Sequence, residues 1–454
     1  MLNQNDEQTP APVPRASEAQ QVGAARDHDR WWWVERHVWT ERMLTRLTTG
    51  ESADQVWFRL WDKTYAPANL QRAFHKVWRK GGSAGVDQQT VAHFARQAEA
   101  ELARLHVQLR DGKYRPQPVR RAWIPKPGSQ EQRPLGIPAV RDRTVQAALR
   151  HVLEPIFETE FAVHSYGFRP GRGAKDALRR VDTLLKAGHD WVVDADLKSY
   201  FDTIPHDRLL ALVKARVADG PVLALVESFL RAGVLEEAKG WHPTERGTPQ
   251  GGVISPLLAN LYLNPFDHQM ARTGWELVRY ADDFVILCRS EAEAQAALSQ
   301  VRDWMHAAGL VLHPEKTRIV NAAQPGGFDF LGYHFERGMK WPREKSLKQL
   351  QDRLRAKTPR LDGRSWAEIV TDVNRTLRGW YGYYQHSQAN VFPKIDGYVR
   401  RRLRSLLEKR RGRTRQGLGQ AHHRWPNAWF AQHGLLSLAA EHEWTRTIVK
   451  LRTH

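Results

Sequence analysis

Cysteine is almost absent from this 454-residue chain. The single Cys288 excludes an intrachain disulfide framework and any Cys-rich zinc module. Its place in the apolar run after Asp283 marks it as a small core residue. Long hydrophobic runs are missing as well. No apolar stretch approaches the length of a membrane span, and the N-terminus lacks the charged-then-apolar pattern of a signal peptide. A cytoplasmic protein without membrane partners is expected. Acidic residues are outnumbered, with 50 Asp and Glu against 69 Lys and Arg and a formal net charge of +19. A surface of that sign suits a polyanion, nucleic acid before all others. The length allows two or three domains with sizeable cores.

Among the acidic residues, those at Glu276 to Leu287 draw attention. Two short apolar runs flank the pair Asp282 and Asp283, which reads as two buried strands joined by a tight turn. Adjacent carboxylates beside a packed sheet repel one another, so one stays protonated or a divalent cation is shared between them. A hard cation such as Mg²⁺ fits oxygen donors best. A solvated acidic turn explains Tyr280 to Asp283 equally well when taken alone, so a third carboxylate decides the matter. It stands in Trp191 to Asp202, where alternation puts Asp194 and Asp196 on one face of a strand and Ala195 on the other.

Residues 1–28 are rich in Gln, Pro, Ala and charge and are expected to form a disordered tail. The run Trp31 to Trp33 either docks on the folded body or stacks on bases, and docking is expected. Residues 54–109 carry helical spacing, broken by the glycine-rich segment Gly81 to Asp87. The proline-studded stretch Tyr114 to Pro127 suggests edge strands. Lys126 and Arg133 flank a Pro-Gly-Ser turn, so a hairpin sets two cations where a triphosphate can be gripped, although two basic residues near a turn also suit plain solvated surface. The loop Ser165 to Gly173 mixes rings, arginines and glycines, the chemistry of a backbone close to a nucleic-acid strand. Helical spacing follows over 205–235, then a glycine-rich loop from Gly247 feeding a helix at 257–263. Beyond the acidic turn come a helix over 291–308, a strand and turn at 310–318 presenting Lys316, and a short strand at 328–333. After residue 340 the composition shifts to helices rich in Arg and Leu.

The order of these motifs resembles that of the reverse transcriptases encoded by bacterial group II introns, over roughly residues 65–440. Ile124 to Pro127 with Arg133 to Pro138 resembles the family's fingertip motif, Ser165 to Arg172 its second block and Asp196 to Asp202 its first catalytic block. Gly247 to Asn260 is similar to the loop and helix beside the nascent pair, and Tyr280 to Asp283 to the catalytic signature. Leu310 to Thr317 and Phe328 to Tyr333 resemble the last palm blocks, Leu377 to Tyr384 the start of the thumb, and Gly81 to Asp87 the early glycine-rich block.

The resemblance implies an α+β right-hand polymerase: helical fingers and an antiparallel-sheet palm, then an α-helical thumb or maturase domain. The expected divisions are a tail at 1–28, N-terminal extension and fingers at 29–160, palm at 161–340, thumb at 341–415 and a basic nucleic-acid-binding segment at 416–454. The implied activity is RNA-directed DNA polymerisation by two-metal nucleotidyl transfer, with the ions roughly 4 Å apart, together with promotion of intron splicing. Asp196, Asp282 and Asp283 are then the catalytic metal ligands, with Leu197 lending a backbone carbonyl to two Mg²⁺, for which Mn²⁺ is a substitute. Lys126, Arg133, Phe201 and Gln250 are the implied nucleotide contacts, Phe201 lying under the sugar or serving as a core aromatic. Gly85, Arg169, Arg172, Lys316, Arg400, Arg401 and Arg404 are the implied nucleic-acid contacts. The implied partners are intron RNA, an RNA template with DNA primer and deoxynucleoside triphosphates, and a homodimer is left open.

Two departures qualify the resemblance. Many relatives carry a C-terminal nuclease with His and paired Cys, which a chain with one cysteine is not expected to hold. The first catalytic block reads Ser199 and Tyr200 where Gly and Phe are more usual, a change that leaves the carboxylates in place. An RNA-binding splicing factor with a vestigial site, and a relative serving host defence or repair, remain as alternatives.

Overall fold

The computed structural model describes residues 30–49, 55–125, 132–412 and 419–452. The expected tail at 1–28 and the fingertip residue Lys126 lie outside the described residues.

The palm is a four-stranded antiparallel sheet of β3 (Trp191–Asp196), β6 (Glu276–Tyr280), β7 (Asp283–Cys288) and β8 (Arg318–Asn321), in the order β6-β7-β3-β8. Its strands are nearly continuous apolar runs because both faces are covered. Val193, Ala195, Phe284 and Ile286 pack into one core with Phe266 of helix Ser255–Arg272 and Leu298 of helix Glu291–Ala307. Val192, Val285 and Leu287 pack on the other face with Leu178 and Val181 of helix Ala174–Lys186. Alternation along β3 and β7 continues this second face as Asp194, Asp196 and Asp283. The same period that builds the core therefore delivers the carboxylates, in line, at one end of it.

A second sheet joins β1 (Val119–Pro125) and β2 (Gln132–Ile137) to β4 (Val234–Glu236) and β5 (Gly240–His242), in the order β2-β1-β4-β5. The short β4–β5 hairpin lies where helical spacing predicts continuous helix up to 235. The helix there ends at Leu230, and Gly233 at φ 81° turns the chain into the strand. The strand predicted at 310–318 likewise forms later, at Arg318–Asn321, leaving only an isolated bridge between Leu312 and Leu197.

The third sheet, β9 (Phe328–Phe330), β10 (Tyr333–Glu336) and β11 (Met339–Pro342), leads into helices Glu344–Lys357, Trp366–Tyr384 and Val391–Arg410. Their core includes Leu350, Leu377 and Leu403, but also Trp425, Phe430 and Leu438. Residues after 419 therefore share a core with these three helices. At the other end Trp31 is buried and Trp33 packs on the main core, while Trp32 faces solvent. Docking of the tryptophan run accounts for two of its three rings.

Candidate active site

β3 and β7 set Asp196 directly opposite Asp283, with Asp282 in the preceding turn. Asp194, one pleat back on β3, joins them along a cavity of about 950 Å³ whose walls also carry Arg133, Lys316, Arg318 and Arg343. Burial, reinforced by Asp194, Asp282 and Asp196, pushes the Asp283 carboxyl up to about 7. Asp194 rises to about 6, again through burial first, with Arg318 opposing the rise. Burial and Asp196 also raise Asp282, against the pull of Arg133 and Arg279.

The cations come from particular elements. Lys316 Nζ lies 2.6 Å from Asp196 Oδ2, and Arg318 Nε lies 3.3 Å from Asp194 Oδ2. Their segment is tied to the catalytic strand by backbone bonds, His313 N donating to Asp196 O at 2.7 Å and Lys198 N to Val311 O at 2.8 Å. Among the described residues no three His, Cys, Asp or Glu side chains already stand as a metal cage. The donor set still suits a divalent ion. It is all oxygen, and burial with mutual repulsion raises the proton affinity of three carboxylates that a hard cation would lower.

The other implied residues divide. Arg133 lines the cavity. Leu197, next to Asp196 in sequence, is buried. Phe201 and Gln250 stand outside the cavity lining, on either side of a locked loop: Thr248 N donates to Phe201 O at 2.7 Å and Gln250 Nε2 to Asp202 Oδ2 at 3.2 Å. Arg401 is exposed, and its neighbour Arg400 is half-buried. Arg172 is half-buried, with Nη1 donating to the Val163 carbonyl.

Three of the implied nucleic-acid contacts are engaged within the protein. Arg169 is buried, pairs with Glu158 and caps the carbonyls of Ala162 and Ser165, so its donors build the loop from inside. Arg404 is 2% exposed and donates to Trp425 O and Asn427 Oδ1, tying the last thumb helices together. Gly85 is packed against the chain at Ala139, where a Cβ would come within 2.5 Å of Ala139 Cα. Its glycine serves close packing. Sequence reasoning noticed Asp194 by alternation but gave it no role, and it missed Arg343, which no local motif distinguishes.

Two family models match the chain, a reverse transcriptase (RNA-dependent DNA polymerase) model over residues 124–335 and a group II intron maturase-specific domain over residues 347–425. The chain is 29% identical to the group II intron-encoded protein LtrA of Lactococcus lactis subsp. cremoris, covering 82% of this chain and 78% of the relative. It is 35% identical to protein YkfC of Escherichia coli strain K12, covering 56% of this chain and 76% of that protein. The chain belongs to the group II intron-encoded reverse transcriptases. Among solved structures, a partial Cas6-RT-Cas1–Cas2 complex is 26% identical over 55% of this chain and 41% of that one, with a TM-score of 0.36.

This reverse transcriptase is an RNA-directed DNA polymerase with a maturase domain, in a right-hand polymerase fold. Its partners are RNA and nucleic acid, and its chemistry calls for a divalent metal. No helix among the described residues is long and apolar enough to cross a membrane.

Proposed function

We propose that Asp196, Asp282 and Asp283 are the ligands through which this reverse transcriptase holds two Mg²⁺ ions, with Mn²⁺ as a substitute, while copying intron RNA from a primer. The observation that carries this is the register of β3 on β7, which sets Asp196 opposite Asp283 beside a cavity with basic walls. When bound, the ions supply charge neutralisation for the attacking hydroxyl and the departing pyrophosphate. The chain's own part is positioning and charge. Arg133 draws the phosphates of a deoxynucleoside triphosphate toward the carboxylates, Lys126 is its proposed partner on the hairpin, and Lys316 yields Asp196 as the site loads. Phe201 and Gln250 bound the nucleotide on the palm side, and Arg400, Arg401 and Arg172 contribute phosphate contacts. Residues 29–160 act as extension and fingers, 161–340 as palm, and the helices that follow as thumb. RNA and nucleotide substrates make the cytosol its working compartment.

Primer extension on an RNA template tests the reading. Asp282→Ala is expected to abolish extension and to leave RNA affinity within a few-fold, because it removes a ligand and not the basic surface. Extension at the wild-type rate refutes the site.

A further inference from the structure

Beneath the acidic turn lies a fully buried guanidinium that touches nothing in the cavity. Arg279, on the strand entering the turn, is 0% exposed. Its Nε donates to Asp267 Oδ1 at 2.7 Å, and Nη2 donates to Asp267 Oδ2 and to Ser165 Oγ, the latter at 2.8 Å. Nη1 donates to Asn260 Oδ1 at 3.2 Å and to the carbonyl of Ala281 at 2.8 Å. All five donors are engaged. A buried ion pair is seldom worth its desolvation for stability alone, since packed apolar residues of the same volume often do as well. What this pair holds up is the explanation for its presence.

Ala281 sits at φ 60°, a left-handed conformation that costs a residue bearing a Cβ on the order of 1 kcal/mol and persists only where the surroundings enforce it. The enforcement is visible from both sides. Arg279 grips the Ala281 carbonyl from below. Tyr166 N donates to Arg279 O at 2.9 Å, and Asn260 Nδ2 donates to Gly167 O at 2.7 Å. Gly167 lies so close that a Cβ there would stand 2.3 Å from Ala281 N. Ser165, Asn260 and Asp267 thus converge from a loop and a helix on one residue, and that residue fixes the backbone immediately before Asp282 and Asp283.

We infer that Arg279 is a positioning residue for the divalent ions. It sets the aim of the two turn carboxylates through the Ala281 carbonyl, and Asp267 and Asn260 hold it in place. The inference rests on the reading that Asp282 and Asp283 are metal ligands. It goes further by assigning metal affinity to a network that no ligand reaches.

The test uses the full chain and two readouts, binding of Mn²⁺ followed by electron paramagnetic resonance without substrate, and primer extension across a Mg²⁺ titration. Arg279→Lys keeps the charge opposite Asp267 but lacks the planar fork that reaches Ala281. It is expected to weaken Mn²⁺ binding and to raise the Mg²⁺ midpoint by about tenfold, with RNA affinity unchanged. Asn260→Ala, a smaller change that keeps the ion pair, is expected to shift both in the same direction by less, and serves if the lysine variant does not fold. The paired variant Asp267→Leu with Arg279→Leu separates aim from stability. Restored thermal stability with metal binding still weakened supports the inference, and restored metal binding overturns it. Unchanged Mn²⁺ binding in both Arg279→Lys and Asn260→Ala also overturns it. Asp282→Asn distinguishes the underlying reading, because extension by that variant at any metal concentration removes the ligand assignment itself.

Discussion

Replacing Asp283 by Asn is expected to stabilise the metal-free protein above neutral pH. In the folded chain this carboxyl is raised from its ordinary 3.8 to about 7 by burial and by Asp194, Asp282 and Asp196. A raised carboxyl contributes stability that is complete below the unfolded value and lost as pH climbs through the folded one. The loss therefore runs from about pH 4 to about pH 7. Each tenfold change in proton affinity is worth about 1.4 kcal/mol, so the ceiling on the penalty is about 4 kcal/mol. Asp194 and Asp282 are raised by the same burial and repulsion, so the three titrations are coupled and only about half of that ceiling is expected at the single position. Urea unfolding of metal-free wild type and Asp283→Asn at pH 5 and pH 8 measures it. The variant should exceed wild type by less than about 1 kcal/mol at pH 5 and by about 2 kcal/mol at pH 8, and lose that advantage when Mg²⁺ is added, since only the wild type retains the ligand. An Asn variant no more stable than wild type at pH 8 without metal would refute the claim that burial and neighbouring carboxylates penalise the charged form of Asp283.

Phe201→Val is expected to raise ribonucleotide incorporation by about tenfold, the discrimination a modest change in pocket shape supplies; an unchanged preference in single-nucleotide incorporation assays would return Phe201 to a purely structural part. Neutralising exposed Arg401 and its neighbour Arg400 as glutamines should reduce the slope of log affinity for RNA against log salt by up to about 1.8. Arg404→Gln should leave that slope alone and instead cost about 2 kcal/mol in urea unfolding, because its buried hydrogen bonds go to Trp425 and Asn427.

The catalytic geometry was legible in the sequence wherever it followed from strand period. Apolar runs at Trp191 to Ala195 and Phe284 to Cys288 identify strands covered on both faces, and a period of two then dictates where Asp194, Asp196 and Asp283 point. Arginines were less readable. Arg169 and Arg401 look alike in composition, yet one is saturated by Glu158 and two carbonyls while the other lies exposed over the Tyr398 ring. Only tertiary packing separates them. Arg279 did leave a signal, a charged residue closing the buried run Leu277 to Arg279. A charge at such a position demands a partner, but its acidic counterpart stands twelve residues away on a helix, and spacing along the chain does not reveal it. The packing of the last residues was hard to read for a different reason. The charge density of the last residues suggests an arm, whereas Trp425, Phe430 and Leu438 are few in number but all buried.

The loop after Gly247 has a mechanical consequence. Its Gln250 carbonyl accepts from Gly136 N at 2.7 Å, at the base of the strand that carries Arg133, while Thr248 holds Phe201. A Cβ on Gly251 would stand 2.4 Å from the Gly136 oxygen, so the two segments have no room to slide. The root of the β1–β2 hairpin and the segment carrying Phe201 are thereby bolted to one another. A larger residue at position 251 would therefore push the strand that carries Arg133 away from the segment that carries Phe201.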